Sequence, residues 1–129
     1  MKKIFLILGM SVLLFSFVVQ SDVDELIRAF KTANSEQVSS HFNSLIDLVL
    51  PGKEEIKNMG KNQASIALKT FFEENGIKGM EILSQREAGS AMYMAGKMVG
   101  KNKSYNVTVW LNEKEGKHFI STLRINTAQ

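Results

Sequence analysis

Two histidines, His41 and His118, are the side chains of this sequence best suited to ligate a metal or carry a proton. Neither has a partner at ligand spacing. No second histidine or carboxylate stands four residues after His41 or two after His118. Each therefore reads as a helix-end or surface imidazole, and no metal or other cofactor is expected. Nucleophilic chemistry fares no better. The chain contains no cysteine, which excludes thiolate catalysis, disulfides and zinc–thiolate sites. Gly-x-Ser-x-Gly is also absent, so no serine is marked as a nucleophile.

What remains is binding chemistry and one carboxylate. Asp47 lies among apolar neighbours, between Ile46 and Leu48. The alternation there turns Ile46, Leu48 and Leu50 inward and sends Asp47 outward with Asn43. Met80, Met92 and Met94, with Met98, suit an adaptable apolar pocket, since thioether chains fill irregular space. They suit gap-filling in a small core equally well. Tyr93 and Tyr105 are the candidate hydrogen-bond donors beside them. Trp110 alternates with Val109 and Leu111, so it shares the opposite strand face with Thr108. Together with Ile120 on the next strand it predicts an exposed apolar patch, the mark of an interface.

These residues need elements to position them. Val23, Leu26, Ile27, Phe30 and Ala33 form one stripe, which predicts a helix over 22–33 with Asp22, Asp24 and Glu25 in its first turn. Asn34 and Gln37 have capping-box spacing, so a second, short helix follows and ends near His41. A strand over 43–50 stops at Pro51-Gly52, and the charged stretch 53–61 reads as a loop. Asn62 is placed to cap a third helix that presents Ala64, Leu68, Phe71 and Phe72 and stops at Asn75-Gly76. Four alternating runs follow, 78–87, 91–99, 104–112 and 117–126, separated by hairpin turns. In the last run Phe119, Leu123 and Ile125 are expected on one face, with His118, Ile120, Thr122 and Arg124 opposed.

Residues 1–21 read as a signal peptide. Lys2 and Lys3 precede the uncharged apolar run Ile4 to Val19, and cleavage is expected after Ser21. Sixteen residues span about 24 Å as a helix, short of the roughly 30 Å hydrocarbon core, so no lasting anchor is expected. The protein is therefore expected in the periplasm or outside the cell. Residues 22–129 form one domain, which carries 14 basic and 13 acidic side chains. So even a balance offers little field to attract nucleic acid or an anionic membrane.

Helix, helix, strand, helix and a four-stranded meander resembles the nuclear transport factor 2-like, or cystatin-like, superfamily. More narrowly, the chain resembles a family of small exported bacterial proteins, domain of unknown function 4783. The likeness rests on Phe42 with its strand running into Leu50-Pro51-Gly52-Lys53-Glu54. It rests also on Phe71-Phe72, Phe119-Ile120 and Leu123-Arg124-Ile125. It implies an α+β cone, three N-terminal helices on a strongly curved, mainly antiparallel sheet of about five strands. It implies an apolar pocket at the open end, and an outer sheet face that can pair two copies. Enzymes of that superfamily hold a carboxylate in the pocket as general base, a role for which Asp47 is the candidate here. The expectation is a non-catalytic exported module that binds a small apolar molecule, an envelope protein or a second copy. A small lyase or isomerase is the alternative, because a shared fold does not select between them.

Overall fold

The computed structural model describes residues 21–128, so the expected leader lies outside the described residues up to Ser21. Helix α1 spans Ser21–Lys31, with Asp22 and Asp24 in its first turn and Arg28 and Lys31 in its last. Both ends thus carry charges that oppose the helix dipole. The helix stops two residues earlier than the apolar stripe suggests, because Ala33 adopts a positive φ of 54°. The chain then turns through Asn34 N–H, which donates to the Ala29 carbonyl at 2.9 Å. Asn34 caps α2 (Ser35–Ser39), its Oδ1 accepting from the Gln37 N–H at 3.1 Å.

Strands β1 (Phe42–Val49) and β2 (Ile56–Gly60) form a hairpin, and β2 corrects the expected loop at 53–61. Its pairing skips Asp47, since Ile46 faces Met59 and Leu48 faces Ile56. Asp47 Oδ1 instead accepts the N–H of Asn58, whose φ of 55° turns that amide toward it. Helix α3 (Lys61–Glu74) starts directly from Gly60 with no side-chain cap, so Asn62 lies inside it rather than capping it. It buries Ala64, Leu68, Phe71 and Phe72, the expected face.

The meander comprises β3 (Gly79–Ala88), β4 (Ala91–Val99), β5 (Ser104–Lys114) and β6 (Lys117–Thr127). The sheet has six strands in the order β2-β1-β6-β5-β4-β3, antiparallel except where β1 lies parallel to β6. The strand count is therefore six, not five. Among the described residues two helices precede the sheet, and the third follows its first hairpin. Helices α1 and α3 cover one face, over a core that includes Phe30, Phe42, Leu48, Met94, Val109 and Leu123. Two bulges bend the meander, one at Leu83 opposite Gly96 and Ala95, the other at Ser121. A Cβ on Gly96 would collide with the Glu81 carbonyl, so this close approach requires glycine.

The Ser121 bulge overturns the expected parity of the last strand. Leu111 pairs with Ile120 and Trp110 with Thr122, leaving Ser121 unmatched between them. Ile120 therefore faces the core with Leu123 and Ile125, all at 0 % exposure. No helix among the described residues is long and apolar enough to cross a membrane.

Candidate functional site

The outer face of the sheet carries an ordered row of side chains. Strand register aligns Arg86, Tyr93, Trp110, Thr122 and Asp47 across β3, β4, β5, β6 and β1. At about 4.8 Å per strand the row is roughly 19 Å long. Trp110 is its centre and is 37 % exposed. Tyr93 packs edge-on against it, with ring centroids 5.5 Å apart and an interplanar angle of 67°. Hairpin register produces this contact directly, because Tyr93 and Trp110 are cross-strand partners. Trp110 also stands between two open grooves. One, of about 620 Å³, includes Ser84, Arg86 and Tyr93; the other, of about 330 Å³, includes Asp47, Lys57 and Thr122. Beside the second groove Glu55 pairs with Arg124 at 3.5 Å and with Lys57 at 3.8 Å.

Two expected placements change here. Ile120 is absent from this face, being wholly buried beneath it for the bulge reason given above. Tyr93 leaves the expected methionine pocket and joins the outer row instead. Thr108 occupies the adjoining row, half-buried between Ala95 and Arg124.

The remaining pocket candidates separate on the inner side. Met80 and Met94 are packed in the core at 5 % and 0 % exposure. Met92 reaches a cavity of about 380 Å³ where the first turn of α1 overhangs the hairpin ends, shared with Asp24, Glu87, Glu113 and His118. Tyr105 reaches a different cavity at the opposite end of the strands. The methionines and tyrosines thus do not converge on one pocket.

At the first of these cavities lies an interaction the sequence did not reveal. Asp22 Oδ2 accepts the backbone N–H of His118 at 2.7 Å and lies 3.2 Å from its ring Nδ1. Both side chains are four-fifths buried. A carboxylate oxygen accepts, so Nδ1 is the donor of this contact and Nε2 stands outside it. The two residues are 96 positions apart, and the acidic first turn of α1 was the sole hint. His41 is placed differently. Its Nε2 is buried with no hydrogen-bond partner, while its carbonyl accepts the Ile120 N–H at 2.7 Å. Among the described residues no group of three or more His, Asp or Glu side chains gathers closely enough to hold a metal ion.

The model of the domain of unknown function DUF4783 matches residues 23–126. No curated protein matches the chain. Among solved structures, a DUF4783 family protein from Bacteroides ovatus is 23 % identical with a TM-score of 0.75, covering 81 % of this chain and 94 % of its own. The protein Rd1NTF2_05 is 12 % identical with a TM-score of 0.62, at 84 % and 96 % coverage. A Nostoc punctiforme protein of unknown function with a cystatin-like fold is 12 % identical, TM-score 0.60, at 85 % and 88 %. These likenesses establish a shared α+β architecture of the nuclear transport factor 2-like, cystatin-like kind.

Proposed function

As the chain belongs to the DUF4783 family, a domain of unknown function, we propose that it is an exported, non-catalytic interaction module that pairs with a second copy through its outer sheet face. The observation that carries this reading is the exposed Trp110, backed by Tyr93 and flanked by two grooves. Aromatic and arginine side chains dominate the energetic centres of interfaces. The row is also self-complementary. A twofold axis at Trp110 sets Arg86 of each copy over Asp47 of the other, so two opposite-charge contacts bracket the two indoles. Light scattering on the purified protein tests it. A dimer that Trp110→Glu converts to a monomer supports the reading, and a wild-type monomer at tens of micromolar overturns it. An envelope protein on the same face, or a small apolar ligand retained in the cone, would appear as extra mass in native mass spectrometry.

One observation favours the alternative of a small lyase or isomerase. His118, held by Asp22, lines a cavity with its ring Nε2 outside that contact, an arrangement suited to general-base work. Asp47 suits that role less, because it faces outward and accepts the Asn58 N–H. A co-purified molecule that wild-type protein converts and His118→Gln does not would favour the enzyme.

A further inference from the structure

The cavity reached by Tyr105 has a volume of about 420 Å³, within the lower part of the roughly 300–1,000 Å³ range of small-molecule sites. It brings together two of the strings that carry the family resemblance. Leu50, Pro51, Gly52 and Lys53 form one wall, and Phe71 from the end of α3 forms another.

Its floor is apolar and held in place. Leu50 and Phe71 are each 8 % exposed and Tyr105 is 4 % exposed. The two rings meet edge-on with centroids 5.2 Å apart. The Tyr105 hydroxyl donates to Asn75 Oδ1 at 3.2 Å, and Asn75 Nδ2 donates to the Phe71 carbonyl at 2.9 Å. The Asn75 carbonyl in turn accepts the Lys101 N–H at 2.9 Å. A floor fixed in this way needs little ordering when a ligand arrives.

Its rim carries both signs of charge. Lys53, Lys103 and Glu74 all line the cavity, yet among the described residues no ion pair joins Glu74 to either lysine. A simple anion entering here would meet Glu74, and a simple cation would meet two ammonium groups. A molecule bearing both charges satisfies the whole rim. Its carboxylate faces the lysines, its ammonium faces Glu74, and an apolar side chain rests on Phe71 and Tyr105. We propose that this cavity binds a small zwitterion with an apolar side chain, of the size of a free amino acid or a dipeptide.

The proposal is independent of the outer sheet face, which lies on the other side of the strands. Calorimetric titration of the purified protein compares leucine, leucyl-leucine, N-acetyl-leucine and leucinamide. The expected result is that leucine or the dipeptide binds, while removing either charge weakens binding about tenfold or more, the scale of one charge-assisted contact. Which of the two zwitterions binds tighter identifies the natural length. Glu74→Gln is expected to weaken the zwitterion about tenfold and leave N-acetyl-leucine unchanged, and Trp110→Glu to leave all four titrations unchanged. Equal binding of N-acetyl-leucine or leucinamide overturns the proposal, as does absence of binding by all four ligands at tens of millimolar. Glu74 is exposed, so its variant keeps the fold, which circular dichroism verifies.

Discussion

Asp22 holds His118 twice, through the backbone N–H at 2.7 Å and ring Nδ1 at 3.2 Å, and so ties the first turn of α1 to the start of β6. Asp22→Ala removes both contacts from a four-fifths buried position. Hydrogen bonds to charged groups contribute about 1.5–3 kcal/mol each when well shielded, and residual exposure reduces this. The expected loss is about 1–2 kcal/mol, a fall in Tm of roughly 5–10 °C for a domain of this size. Asp22→Asn retains an acceptor for the backbone N–H and should lose about half as much. Thermal unfolding followed by circular dichroism decides it; an unchanged Tm in Asp22→Ala means the tie contributes nothing.

The self-complementary outer row predicts a charge-swap pattern. Arg86→Glu and Asp47→Arg, made singly, place like charges together in the dimer and should each weaken association about tenfold or more. The double variant restores opposite charges and should recover much of the loss. Sedimentation equilibrium measures all four proteins. Failure of the double variant to recover would show that Arg86 and Asp47 do not meet across the axis.

Burial of Met94 predicts a large cost for Met94→Ala, about 2–5 kcal/mol by urea denaturation, as for other long core side chains. A methionine lining an open pocket would cost far less, since water would fill the space. A loss below about 1 kcal/mol would revive the methionine pocket.

His41 predicts a gain. Its buried Nε2 has no partner, so His41→Leu removes an unsatisfied polar group while keeping similar volume. Stability should stay level or rise by about 1 kcal/mol, read as the urea midpoint. A fall of more than about 1 kcal/mol would show that the imidazole makes a contact worth more than its desolvation.

Regular alternation and clear stops made much of the architecture readable. Strand β4 runs from Ala91 to Val99, the limits its alternation and turns predict, and α3 buries the four residues its spacing selects. Strand β2 was illegible because it is an exposed sheet edge. Ile56, Lys57 and Asn58 are all exposed, so no buried face imprints a period of two. Alternation alone puts Ile120 on the wrong face, because a one-residue bulge leaves no mark in composition yet inverts every side chain before it. The site suffered most. Trp110 could be placed by parity with its own neighbours, whereas Asp22 and His118 meet only through the complete fold.

The parallel contact between β1 and β6 joins the first strand to the last, in the interior of the sheet. Leu48 cannot meet Leu123 until residues 117–127 have left the ribosome, so the nascent chain has no early route to its finished core. This topology delays tightening until the eleven-residue strand β6 is made, so most of the polypeptide is synthesised before its two halves can lock together.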